Sequence, residues 1–195
     1  REESDARLLA AAAGVIAREG YLAATLERVG TEAGFSRGLA SRKYGSKDGL
    51  IEAVIRHTST HVHAELDKAV AGVVSPLDQL VALFERFVAL VGSDDLVRAY
   101  FVLFSAMIAN RLETRLVFDE VQQRFGQRLQ DLIERAQRTG AIAPALPARH
   151  GAYLVGCLLA GIAVETTMDS PPPVAVDAAR LQADLSAMLR RALGG

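Results

Sequence analysis

The stretch from Thr25 to Leu50, TLERVGTEAGFSRGLASRKYGSKDGL, decides how this chain folds. Leu26, Val29 and Ala33 recur at helical spacing, and Thr25 stands where an N-cap belongs. Gly34 closes that helix, because glycine takes the left-handed conformation at little cost. Phe35 is apolar enough to anchor the turn that follows. Ser36 then caps a second helix, Arg37 to about Tyr44, and Gly45 ends it. Ser46 caps the next helix, with Asp48 in its first turn, where the helix dipole favours a carboxylate. Two short helices, a tight turn and cations on the second helix make the helix-turn-helix plan for entering a DNA major groove.

The charges agree with that plan. Between Thr25 and Lys47 the cations are Arg28, Arg37, Arg42, Lys43 and Lys47, against Glu27 and Glu32, and the second helix carries no acid. The whole chain has 22 Lys+Arg against 23 Asp+Glu, a net charge of −1. This is therefore a near-neutral protein with a local basic element, which is what phosphate contact requires. A merely solvated helix face would leave the agreement of charge, caps and turn unexplained.

Extended upstream, the stretch reads LLAAAAGVIAREGYLAATLERVGTEAGFSRGLASRKYGSKDGL. In this form it resembles the N-terminal domain of TetR-family transcriptional regulators. That family has an alanine-rich first helix, Gly-Tyr, a Thr cap, an Ala-Gly-aliphatic-Ser turn and a glycine-containing recognition helix with aromatics. Ser-Lys-acid then precedes a long helix. The likeness covers about the first quarter of the chain without a gap. Where the family usually carries Leu-Tyr in the recognition helix, this chain has Ala40 and Ser41. The shorter Ser41 hydroxyl replaces a tyrosine that commonly touches phosphate. The later aromatic survives as Tyr44, placed for core more than for contact, and Arg42 and Lys43 replace polar or histidine positions. The resemblance implies DNA binding by a homodimer and a second half that senses a small molecule.

The 195 residues are enough for one or two small domains with a sizeable core. Half are hydrophobic and none is tryptophan; alanine and leucine dominate, and strand-like runs are scarce. The expected class is all-α: a three-helix helix-turn-helix head over residues 1–46, then a helical bundle for ligand binding and dimerisation over 47–195. Cys157 is the one cysteine, which fits a reducing cytoplasm. The longest uncharged run, Gly151 to Val164, is too short to span a bilayer, so no membrane is expected.

The first helix is expected at Ser4–Glu19, with Leu8, Leu9, Ala12, Val15 and Ile16 in one stripe and Tyr21 packed behind it. A long helix leaves from Lys47 and stays apolar on one face through Gly72. It carries His57 and His61 four apart; without a thiol or acid nearby in sequence they read as solvent or interface histidines, and no metal is expected. Ser75-Pro76 opens the next helix, Gly92-Ser93-Asp94 breaks it, and an almost wholly apolar helix follows to Asn110. Glu113–Thr139 is an amphipathic helix with Leu116, Val121, Phe125 and Leu129 in its stripe. The last two helices are expected at Ala148–Met168 and Asp177–Leu193.

The aromatics Phe84, Phe87, Tyr100, Phe101 and Phe104, with Met107, suggest a ligand pocket, with Asn110, Arg111, Cys157 and Glu165 as polar candidates. The same aromatics also suit an ordinary core. Ala152, Gly156 and Ala160 fall four apart and permit close helix approach; with Leu181, Leu185 and Met188 they are the candidate dimer interface. No phosphate loop, paired-histidine zinc motif or nucleophile elbow occurs, and no cofactor is expected. An all-α enzyme built from scattered acids, or a helical adaptor for another protein, leaves the cation cluster idle.

The expected function is a ligand-responsive transcriptional regulator. It would bind double-stranded palindromic DNA as a homodimeric repressor and release it on meeting a small apolar or amphipathic molecule. Arg37 is placed to read guanine and Leu39 to touch a thymine methyl. Arg42, Lys43 and Lys47 would neutralise phosphates, Thr25 and Ser41 would hydrogen-bond them, and Gly38 would let the backbone approach.

Overall fold

The structure is a computed structural model. It describes residues 2–110, 113–168 and 178–194, without the side chains of Glu2, Arg37, Ala178, Ala179, Leu181 and Gln182. The described residues contain no strand. Nine α-helices follow in order: α1 Glu2–Glu19, α2 Leu26–Glu32, α3 Arg37–Tyr44, α4 Lys47–Val70, α5 Pro76–Ser93, α6 Asp95–Asn110, α7 Arg115–Arg138, α8 Ala148–Thr167 and α9 Ala178–Gly194. A 3₁₀ turn, Tyr21–Ala23, joins α1 to α2.

By packing, the chain forms two compact units, and their limits differ from a boundary at residues 46 and 47. One unit takes residues 1–62 and 93–121, the other 63–92 and 122–195. Thus α6 and the start of α7 belong with the head. The reason is apolar surface: α1 lays its stripe not only on α2 but also along α6. Leu8, Ala12, Val15 and Ile16 of α1 meet Val29, Ala40, Leu50, Ile51, Val54 and Ile55, and the same core takes in Ala99, Leu103, Val117 and Phe118. Leu8, Ile16, Leu50, Ile51 and Ile55 are fully buried, each contributing about 1.5–3 kcal/mol by leaving water.

In the second unit Leu66, Leu80, Phe84, Phe87, Leu129, Leu132, Ile133, Val155, Leu159 and Leu189 are buried. Phe87 packs on Phe125 with ring centroids 5.5 Å apart.

Three expectations shift. Helix α5 runs through Gly92 and Ser93, and only Asp94 breaks it, because the Asp94 carboxylate caps α6 by accepting the Leu96 N–H at 2.9 Å. On α7 the buried face is Val117, Phe118 and Val121, while Leu116 is 78% exposed. Helix α6 is buried along its first turns, yet Ile108 near its end is 63% exposed.

Candidate nucleic-acid interface

Thr25 caps α2 through its side chain, which accepts the Arg28 N–H at 3.1 Å. Gly34 then turns the chain at φ 74°, a conformation that any Cβ would strain. Phe35 packs partly against the core, and the Arg7 guanidinium stacks over its ring at 4.6 Å. The same guanidinium donates to the Ala33 carbonyl at 2.8 Å. Arg7 therefore ties the turn to α1, a role nothing in the turn's own sequence announces. Ser36 occupies the N-cap position of α3 by its backbone, but its hydroxyl makes no capping bond, contrary to expectation.

Within α3, Ala40 is fully buried, and Leu39 and Tyr44 are partly buried against the core. Gly38, Ser41, Arg42 and Lys43 are exposed, as is Gly45 just past the helix. Gly38, Ser41 and Arg42 fall at i, i+3 and i+4, one outward stripe of a helix. Leu39 is thus divided between core and surface. A Cβ built on Gly38 meets nothing within 4 Å, so no neighbour among the described residues requires glycine there. Arg42 makes no ion pair among the described residues, whereas Arg28 is bound to Glu19 at 2.7 Å. The Arg37 backbone begins α3; its side chain lies outside the described residues.

Lys43 and Tyr44 are held from behind. The Lys43 ammonium lies 2.7 Å from Asp5 Oδ1, and the Tyr44 hydroxyl donates to that same oxygen at 2.6 Å. Partial burial pushes the Asp5 carboxyl up, but the hydrogen bonds from Lys43 and Tyr44 outweigh it and leave the group below its ordinary value. Burial, then the Asp5 hydrogen bond, pushes the Tyr44 phenol up, so it stays neutral. At the start of α4, Lys47 donates to the Leu22 carbonyl at 3.2 Å and sits 4.0 Å over the Tyr21 ring. Burial lowers its pKa, and Asp48 pulls it back up.

The remaining candidates distribute as follows. Tyr100, Phe101, Phe104 and Met107 lie in the first unit; Phe84, Phe87, Cys157 and Glu165 lie in the second; Arg111 is outside the described residues. Phe118, which the sequence reading passed over, joins the first set: its ring is 5.2 Å from Tyr100 and 5.9 Å from Phe104. Just ahead of α7, one turn before Phe118, Thr114 buries a hydroxyl without a hydrogen-bond partner among the described residues. Cys157 is exposed. Ala152 is buried within its own unit, while the neighbouring face of α8 exposes Tyr153 and Leu154, at 73% and 59%. On α9 Met188 is exposed, and Ser186 and Leu189 are buried in its place; the Leu181 side chain is outside the described residues. By length and composition α8 is apolar enough to cross a membrane, with 28% of its apolar window buried. His61 does have an acidic partner, Asp94, at 2.7 Å across 33 residues of sequence. No cluster of three metal-ligating side chains occurs among the described residues.

Residues 8–54 match the family described as bacterial regulatory proteins, tetR family. The HTH-type transcriptional regulator BetI of Brucella anthropi is 28% identical over 156 residues, covering 73% of this chain and 79% of that protein. Among solved structures, a protein from Saccharomonospora viridis in complex with choline shares the fold over 100% of both chains, with a TM-score of 0.84 and 17% identity. AibR in complex with isovaleryl coenzyme A and operator DNA does so over 95% of this chain and 97% of its own, with a TM-score of 0.75 and 16% identity. Residues 8–54 thus match the head of the tetR family, the relative that spans most of the chain is an HTH-type transcriptional regulator, and the solved structures share this all-helical fold.

Proposed function

We propose that this regulator is a homodimeric repressor in the cytoplasm that reads a palindromic operator with α3 and is released by a small apolar or amphipathic molecule. The observation that carries the reading is the outward stripe of α3, where Gly38, Ser41 and Arg42 face away from the core with no acid among them. Arg37 at the N-terminal end of α3 reads a guanine, and Arg42 and Lys47 meet phosphates. Ser41 and Thr25 supply hydroxyls to the backbone, and Ser36, Leu39 and Tyr44 set how deep the helix sits.

A second copy covers the exposed apolar face of α8 around Tyr153, Leu154 and Cys157, extended by Leu185 and Met188 of α9. Two-fold pairing places two copies of α3 one helical turn apart, about 34–36 Å, or a multiple of it. The effector belongs with the aromatic set of α6 and α7, Tyr100, Phe104 and Phe118, where the Thr114 hydroxyl offers a hydrogen bond. That small organic molecules bind relatives of this fold, choline in one and isovaleryl coenzyme A in another, supports an effector of that size. Such a molecule releases DNA only by favouring the arrangement that binds DNA poorly.

Selection of bound duplexes from a random pool at near-physiological salt tests the reading. An enriched palindrome is expected, and its half-site spacing gives the dimer geometry. Weak, salt-sensitive binding without enrichment would refute a sequence-reading dimer. On an enriched site Arg37→Ala should cost about 1–3 kcal/mol and relax preference at one base position.

A further inference from the structure

We propose that Asp5 is a positioning residue that sets operator affinity: its carboxylate fixes the end of α3 through Tyr44 while holding Lys43 back from phosphate. The inference rests on the reading that α3 enters DNA. Asp5 lies on α1, and one of its oxygens, Oδ1, receives both the Lys43 ammonium at 2.7 Å and the Tyr44 hydroxyl at 2.6 Å. An oxyanion at that distance is what a DNA phosphate would offer the same ammonium. The protein thus carries an internal stand-in for phosphate at the edge of its own recognition helix.

The two bonds do different work. Tyr44 is half-buried and points inward, so its bond to Asp5 is an anchor between α1 and α3. Lys43 keeps part of its side chain in solvent, 27% exposed against 41% for that of Asp5. An ion pair this exposed is weak and exchanges readily. Phosphate therefore competes for Lys43 but gains less than it would from a free ammonium. His57 of α4 also acts on the Asp5 carboxylate from a third helix. By contrast Arg42, the next residue back on the helix, makes no ion pair among the described residues. Two adjacent cations on α3 thus meet DNA on unequal terms.

The test is the salt dependence of binding to a fluorescent duplex between about 50 and 200 mM salt. It uses the full chain with Asp5→Asn, Lys43→Gln and both together. Asparagine keeps an acceptor for Tyr44 and removes the charge. Asp5→Asn should tighten binding and steepen the slope of log K against log salt by up to about 0.9 per subunit, an extra loss over that range of about 3.5-fold per subunit, or about twelvefold for the dimer. Lys43→Gln should lower the slope more in the Asp5→Asn background than in the native one. Equal effects of Lys43→Gln in both backgrounds would overturn the inference, since Asp5 would then act only as a distant charge. If Asp5→Asn does not fold, Lys43→Gln alone decides: a slope loss of the full 0.9 or so overturns the inference, and a clearly smaller one supports it. Absence of salt-dependent duplex binding by the native chain would instead sink the reading of α3, and the inference with it.

Discussion

Replacing Gly49 by alanine sets two well-known effects against each other, and the structure says which wins. Gly49 sits in the first turn of α4, where its N–H is accepted by the Ser46 hydroxyl at 3.0 Å. Helix propensity alone predicts that alanine stabilises, by up to about 1 kcal/mol. A Cβ on Gly49, however, would lie 2.3 Å from the Tyr44 carbonyl oxygen, while ordinary contact begins at 3.4 Å. Backbone must therefore move by about 1 Å, the difference between those distances. Tyr44 is poorly placed to give way. Its carbonyl accepts the Ser46 N–H at 2.8 Å, and its hydroxyl is bound to Asp5. Forced overpacking costs about 1–3 kcal/mol, and a clash this close with backbone belongs at about 2–3, so a net loss of about 1–2 kcal/mol remains after the propensity gain. For a chain of this size that lowers the melting temperature by roughly 2–8 °C. The displacement falls between α3 and α4, so affinity for an operator should drop even at temperatures where the variant is folded. Thermal unfolding followed by circular dichroism decides it. An unchanged or raised melting temperature would refute the steric argument and leave propensity in command.

Gly38→Ala is the same substitution with the opposite sign: nothing lies within 4 Å of the new Cβ, so the fold should gain about 0.5–1 kcal/mol while DNA binding weakens, and unchanged binding would remove the role given to Gly38. Burial and the nearby Arg124 and Arg128 lower the His63 pKa from its ordinary 6.5. The neutral ring is therefore the native form, and its contribution to stability is present above pH 6.5 and is lost as pH falls through the folded value. His63→Gln should accordingly narrow the stability difference between neutral and mildly acid pH in urea unfolding, and an equal difference would exclude His63 as its source. Thr114→Val removes a buried hydroxyl that has no hydrogen-bond partner among the described residues and should stabilise the chain by about 1 kcal/mol, with weaker effector response; destabilisation would mean that the hydroxyl is satisfied in the folded protein.

What the sequence made legible was local. Thr25, Gly34 and Gly45 act through backbone one to three residues away, so caps and left-handed turns could be read from their neighbours, and the limits of α3 came out as expected. What was not legible shares a cause of the other kind. On α7, Leu116, Val117, Phe118 and Val121 contain more apolar residues than one stripe needs, and periodicity cannot choose between adjacent registers. Packing on α6 chooses Phe118 and leaves Leu116 in solvent. On α8 apolar residues surround the helix, so the sequence does not say which of its faces is buried and which exposes Tyr153 and Leu154. Asp5 and Arg7 were silent because their partners lie far along the chain, on α3 for Asp5 and in the turn after α2 for Arg7. An acid ahead of an alanine-rich helix reads simply as a good N-terminal charge.

That last pair bears on how the reading head works. A helix of eight residues has little stability of its own, so α3 persists through what it docks against. Its supports are Ala40 in the core and Tyr44 on Asp5, at its middle and its end. The outward residues Gly38, Ser41 and Arg42 contribute nothing to that docking. On the proposed reading of α3, substitution there alters recognition with small effect on folding, so operator preference can drift while the head stays intact. Lys43 and Tyr44 do not have that freedom, since both answer to a single carboxylate on another helix. A change at Asp5 shifts anchoring and charge together, and it is at this residue that stability and DNA affinity cannot be tuned apart.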